Sequence, residues 1–565
     1  MCRSVAVLPL LLAACAASPK RVSDVSVASA NEELARATDA FFHTYLADHP
    51  GFAVSLGYHD RDGRLPDVTP AGLERTIAHL REAERRFAAF VPESLGPTEQ
   101  LERETLLLAL RTDLHTYVEL RAPLRNPIWY DGNLELDGYL SRDYAPLAQR
   151  ARAVAAIARG APAYLAAARA NLEPVLPEPW VEVARFEIDG QLEFLRTGVR
   201  EALAPLTDVA LRRELDEALA GMARALEEQR AFLDARRATA NQGHVLGASG
   251  LARAIAVEEG VDLDLASIAA IGRADLERNQ RALADAVHAI DATRSAADVI
   301  RDLKQQKPAD VLAEARRQAA DARRFVIEHD LVGLPSSAVA EVREAPPYDR
   351  SAAAMLDGAG PFEPETMPSF YLISPPDPRW SPEEQRDYVS DTWDLLVVTT
   401  HELYPGHFVD DLHRRAMRSR VLKSFWNQLV GEGWAHYAEE LMWEEGFADR
   451  DSRFRLAQVI EALIRDVRLE CAIGIHAEGM SIDQCARRMR EVAFLDEAGA
   501  RQEAVRATYD PTYLSYTLGK HLIRQLREEW HAKMGERFSL RAFHDRLLAC
   551  GGAPLPAIRH ALLDE

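Results

Sequence analysis

The segment His401-Glu402-Leu403-Tyr404-Pro405-Gly406-His407 places two imidazoles and a carboxylate within one short stretch of chain. It opens like H-E-x-x-H, in which two histidines one helical turn apart bind zinc and the glutamate acts as base. Here the second histidine arrives two positions late, and residues six apart on an ideal helix point about 120° from one another. The two residues before it supply the means of correction. Proline has no N–H for the helical ladder and its ring clashes with the preceding turn, while glycine takes backbone angles that other residues avoid. The spacing therefore predicts a bulge. Pro405-Gly406 loops outward, His407 returns to the face of His401, and a bound metal offsets the cost of the distortion.

A hydrolytic zinc site takes three protein ligands and keeps a fourth position open. Glu432, in Gly431-Glu432-Gly433-Trp434-Ala435-His436, lies twenty-five residues after His407. On a helix expected from about Val421 to Glu445 it shares a stripe with Phe425 and Leu429, where an ionised carboxylate is costly unless it is paired or coordinating. The expected cofactor is thus Zn²⁺ held by His401, His407 and Glu432. Glu402 is then not needed as a ligand and is left as the general base. No G-x-S-x-G elbow, P-loop or G-x-G-x-x-G is present, so serine hydrolysis and nucleotide binding are unsupported.

The elements that must position these groups read as helices. Ser381, Pro382 and Glu384 form a helix-start signature, with a cap, a proline at the first position and a capping-box acid. From there the pattern runs helical to Glu402. Elsewhere apolar residues recur at three- and four-residue spacing over Asn31–His49, Ala71–Phe90, Pro146–Asn171, Ala184–Leu203 and Leu211–Ala235. These segments are rich in Ala, Leu, Glu and Arg, which favour helix. Strand-like pattern is confined to short stretches such as Ser369–Ile373. The fold class is all-α, with at most a short β element. Gly243–Gly250 reads as a break, which divides a helical part at 31–242 from a second at 251–565 that carries the site, the two forming one catalytic unit.

With 565 residues, 47% hydrophobic and 27% charged, the chain has ample material for a core. A net charge of −21 argues against nucleic acid as a partner. Residues 1–14 combine Arg3 with a short apolar run that fits a secretory signal rather than a membrane span. Leu12-Ala13-Ala14-Cys15 looks like a lipobox, so lipidated Cys15 is the expected membrane anchor, followed by a polar tether to about residue 30. Ala16 after the cysteine resembles the pattern that sorts lipoproteins to the outer membrane, facing the periplasm. Cys471, Cys485 and Cys550 are too few for a disulfide framework, although an exported compartment permits one bridge.

"HELYPGHF" together with "GEGWAHYAEE" resembles the bacterial domain-of-unknown-function 885 family, whose pattern is HExxPGH followed by EGWAxYxE. That family is in turn similar to the gluzincin metallopeptidases of the thimet oligopeptidase and carboxypeptidase Taq type. Gly57–Asp60, Arg64–Asp67, "LSYTLGK" (Leu514–Lys520) and "FHDRLLACGGAPLP" (Phe543–Pro556) extend the likeness over most of the chain. The resemblance implies His401, His407 and Glu432 as ligands, Glu402 as base and Glu439 as the acceptor that orients a ligand histidine. It further suggests Tyr516 as donor to the oxyanion, with Tyr513 as runner-up, and His476 as either a second donor or a satisfied core histidine. Lys520 or Arg524, near the Tyr516 face of the helix, could clamp a substrate carboxylate. His59-Asp60 and His544-Asp545 are expected to be structural. Two positions depart from the pattern: Phe408 stands where many members carry a second histidine, and Ala472 replaces an aspartate. The function implied is zinc-dependent hydrolysis of short peptides outside the cytoplasm. The alternatives are a zinc amidohydrolase acting on non-peptide amides and a non-catalytic envelope lipoprotein that binds or scaffolds.

Overall fold

A computed structural model describes residues 24–346, 353–376 and 381–564. The signal segment, Cys15, Trp380 and the Glu384 side chain lie outside the described residues. Helix α1 (Asp24–Asp48) already takes in residues 24 to 30, which the sequence reading assigned to the tether.

The described residues are predominantly helical, as the periodicity predicted. In the N-terminal part, α2 (Leu147–Asn171) packs along α3 (Val209–Arg237). The alanine stripe Ala151, Ala155, Ala158, Ala161 and Ala168 allows the two to approach closely. The break expected at Gly243–Gly250 is confined to residues 243–246, because a short helix already begins at Gly247; α4 (Leu265–Ile290) follows. It is followed by three short strands, β1 (Glu341–Glu344), β2 (Ala354–Asp357) and β3 (Phe370–Ile373). Buried β3 is central, with β1 parallel on one side and β2 antiparallel on the other, so β2 is an edge strand.

The remaining elements surround the site: α5 (Thr392–Glu402), α6 (His407–Ala416), α7 (Gln428–Glu444), α8 (Ser452–Ile473) and α9 (Ser515–Met534). Both α7 and α8 are buried on nearly every side, which marks them as the centre of the C-terminal core. Contacts cross between the two parts. His115 Nδ1 meets Glu258 Oε1 at 2.9 Å, Trp180 donates to Thr508 O at 2.9 Å, and Phe425 stacks among Phe41, Phe42, Tyr45 and Phe52. Cys471 on α8 and Cys485 on the following helix form a disulfide, a bond at home in an oxidising compartment.

Two helices differ from their expected bounds. The run from Ser381 breaks after Tyr388, and α5 starts afresh with Asp391 as its cap, accepting from the backbone of Trp393 and Asp394. Likewise Val421–Glu445 is two helices, Arg420–Ser424 and α7. Asn427 caps α7 through its side chain, so Phe425 precedes the helix instead of sharing its stripe. In both cases a short polar side chain outcompetes helix continuation by bonding local N–H groups.

Candidate metal centre

The turn between α5 and α6 does what the bulge was expected to do, by a more drastic route. The helix stops at Glu402, residues 403–406 form a turn with a cis Tyr404–Pro405 peptide, and a new helix begins at His407. Gly406 N–H returns to Thr400 O at 3.1 Å. A Cβ at Gly406 would lie 1.7 Å from His401 O, so no other residue fits there without moving the backbone. Trp434 on α7 donates its indole N–H to Pro405 O at 3.0 Å and pins the turn to the next helix. The two imidazoles converge with ring centroids 4.8 Å apart and perpendicular planes.

Glu432 projects from α7 between them. Its Oε2 lies 3.5 Å from His401 Nε2 and 3.3 Å from His407 Nε2. That oxygen is buried and has no donor in hydrogen-bonding geometry. Tetrahedral zinc with bonds of roughly 2.0–2.1 Å holds its ligand atoms about 3.3 Å apart. The donor set and its spacing therefore fit a zinc ion. Glu402 also comes within 4.8 Å of both histidines. However, its Oε2 already accepts from Leu356 N at 2.9 Å, whereas the Glu432 oxygen faces only the two imidazoles. Glu432 is therefore the better candidate for a third ligand.

Support behind the ligands is charged and buried. His401 Nδ1 meets Glu439 Oε1 at 2.7 Å, which turns Nε2 towards Glu432. The other oxygen of Glu439 meets His436 Nδ1 at 3.1 Å, and Arg465 lies 3.6 Å away. Burial by itself would push the His401 pKa down, but Glu432 and Glu439 together lift it to about 9. For His407 burial is likewise outweighed, mainly by Glu432. Burial pushes Glu432 up, yet His407 and His401 hold it well below the usual carboxylate range. Glu439 is similarly held down, by Arg465 and the two histidines. Two carboxylates are thus kept ionised in a buried place by the imidazoles and the guanidinium around them.

Helix α9 reaches the same site because it crosses α7 glycine against glycine. A Cβ on Gly433 would meet Gly519 at 2.6 Å, and one on Gly519 would meet Leu429 O at 2.0 Å. This approach sets the Tyr516 ring 6.3 Å from His401, nearly parallel to it, with the Arg468 guanidinium 4.8 Å from the tyrosine ring on α8's side. Glu402, Tyr516 and the three candidate ligands are therefore brought together.

Other expected residues have different partners. His476 receives Leu246 N–H at Nδ1 (3.4 Å) and donates from Nε2 to Ala507 O (2.7 Å). Both ring nitrogens are spent on backbone, so His476 is a core histidine and has no N–H left for an oxyanion. Tyr513 is fully buried, with its hydroxyl unpartnered. Lys520 is 1% exposed, 2.7 Å from Asp275, and Arg524 bonds Glu444 at 2.8 Å and pairs with Glu440. Neither cation presents itself to a substrate carboxylate, because acids on α4 and α7 hold them. Phe408 packs on Tyr404, and Ala472 is buried in α8. His544 bonds Tyr437 and Leu331 O, and His59 bridges Asp62 and Glu363. Sequence reasoning missed the backbone donor Leu356, Arg465 and the crossing at Gly519. Only the last left a signal, a glycine inside a strongly helical run.

The family described as bacterial protein of unknown function (DUF885) matches residues 50–562. No curated protein matches the sequence. Two solved structures share the fold. A candidate lipoprotein of unknown function from Shewanella oneidensis is 24% identical, with a TM-score of 0.78, covering 93% of this chain and 99% of its own. A candidate lipoprotein from Colwellia psychrerythraea is 16% identical, also at 0.78, covering 94% and 98%.

Proposed function

This chain belongs to the DUF885 family, and from that premise we propose that it is a zinc-dependent peptidase acting on short peptides outside the cytoplasm, akin to the gluzincins. The observation that carries the reading is the buried, unpartnered Glu432 oxygen set between two imidazole nitrogens at 3.3 and 3.5 Å.

His401, His407 and Glu432 would hold the ion. When bound, zinc supplies Lewis-acid polarisation of a carbonyl and lowers the pKa of water. Glu402 takes the proton of the attacking water and returns it to the leaving amine, a role whose loss typically costs 10²–10⁴-fold. The Leu356 N–H fixes the rotamer of that carboxylate. Glu439 keeps the Nδ1 proton of His401, so that Nε2 offers its lone pair to the metal side. Tyr516, whose ring lies 6.3 Å from that of His401, donates its hydroxyl to the developing oxyanion.

The proposed location follows from the lipobox-like Cys15 and from the two structural neighbours, both candidate lipoproteins. Among the described residues no helix is long and apolar enough to cross a membrane, so attachment would rest on the acyl chains. Those neighbours also support a second reading, a non-catalytic envelope lipoprotein with a binding role. Metal analysis of the purified protein alongside hydrolysis of a mixed peptide library separates the two. On the peptidase reading the protein carries about one zinc per chain, and Glu402→Gln keeps the metal while losing at least about 10²-fold in turnover. Unchanged turnover in that variant would sink the mechanism, and a zinc-loaded parent that cleaves nothing would favour the second reading.

A further inference from the structure

Large apolar side chains that remain in water beside a reactive centre need a reason. Trp426 is 43% exposed although the residues on either side are buried, Phe425 in the N-terminal aromatic cluster and Asn427 as the cap of α7. Its ring centroid lies 5.8 Å from that of His407. Gly431, the residue before Glu432, has no Cβ, and one placed there would meet the indole at 2.1 Å. The ring therefore rests on α7 backbone next to two candidate ligands. It cannot retreat inward: the cavity beside it, lined in part by Phe425, Val430 and Trp434, holds about 10 Å³, and a water already needs roughly 10–15 Å³.

We propose that Trp426 forms a wall of the substrate site and selects peptides with an aromatic residue next to the scissile bond. The inference rests on the peptidase reading and names its substrate class. An indole held on one side and open on the other suits stacked or edge-on contact with a second ring, at centroid separations of roughly 4.5–7 Å. A lysine or arginine side chain would be disfavoured there, because the Arg414 guanidinium already sits 5.5 Å from the ring centroid.

The test compares Ala-Phe-Ala with Ala-Ala-Ala, since a central residue adjoins both peptide bonds. Zinc-loaded parent protein should favour Ala-Phe-Ala in kcat/KM by on the order of tenfold or more, with the difference in KM. Trp426→Ala should bring that ratio to about one, and Trp426→Phe should preserve most of it. Calorimetric titration of Glu402→Gln protein with both tripeptides should give the same ranking without turnover, and Trp426→Ala in that background should abolish it. Thermal melts and zinc content verify that each variant is folded and loaded. If Trp426→Ala misfolds, the change in indole fluorescence on adding Ala-Phe-Ala to parent but not to Trp426→Phe carries the test. Hydrolysis without preference overturns the aromatic subsite and leaves the peptidase reading standing. Preferential binding without hydrolysis does the reverse, and absence of both binding and hydrolysis overturns both.

Discussion

Glu439 has no contact with solvent, yet it serves three partners at once: His401, His436 and Arg465. A carboxylate so placed fixes which nitrogen of His401 carries the proton, and thereby which one faces Glu432. Replacing it with glutamine keeps the shape and removes the charge. Glu439→Gln should weaken zinc binding by about 10–100-fold, measured by competition with a chromogenic chelator. An unchanged affinity would mean that His401 is oriented by packing alone. Glu432→Ala should be more severe, since it removes a proposed ligand and leaves a two-histidine site. No stoichiometric zinc should survive dialysis against a mild chelator.

At the scale of elements, the site depends on two close approaches that only glycine permits. At the α5–α6 turn, Gly406 lies against the carbonyl of His401 itself. At the α7–α9 crossing, Gly519 lies against Leu429 O, three residues before Glu432, and it is three residues from Tyr516. Gly519→Ala must push the helices apart or bend one of them, at a cost of about 1–3 kcal/mol for overpacking of this kind. Denaturant unfolding should show that loss, and Tyr516 should move away from His401. A variant as stable as the parent would show that the crossing yields more easily than its distances imply. The same scale explains the two helix boundaries that the sequence misplaced. Apolar periodicity continues through Asp391 and Asn427, and nothing in a local pattern tells whether such a residue ends one helix by capping another.

For the whole molecule, burial of neutral histidine sets a pH dependence. Burial pushes the pKa of His544 down to about 4, and those of His436 and His476 likewise. An unfolded histidine titrates near 6.5. Between those values the unfolded chain binds the proton and the folded one does not. Each such residue therefore contributes stability that is fully present above about pH 6.5 and is lost as pH falls through about 4. His544→Gln retains a donor for Leu331 O and an acceptor for the Tyr437 hydroxyl, but cannot titrate. Over that window the parent should lose roughly 1.36 kcal/mol per pH unit more than His544→Gln. Parallel curves from denaturant unfolding at several pH values would contradict the assignment.

The amino-acid sequence by itself determined the helical class, because Ala, Leu, Glu and Arg at helical spacing leave few other ways to bury an apolar stripe. It also marked the residues of the candidate centre. A histidine, an acid, a helix breaker and a second histidine can converge only by a sharp turn, and Glu432 in an apolar run calls for a partner. The tertiary structure alone decided which polar groups would be consumed by one another. Lys520 and Arg524 read as open cations until α4 and α7 set Asp275, Glu440 and Glu444 against them. His476 reads as a donor until Leu246 and Ala507 occupy both its nitrogens. Local spacing tells which residues share a face. Which distant residue meets that face depends on how whole helices pack, and hydrogen bonds and ion pairs that close across such contacts leave no periodic trace in the chain.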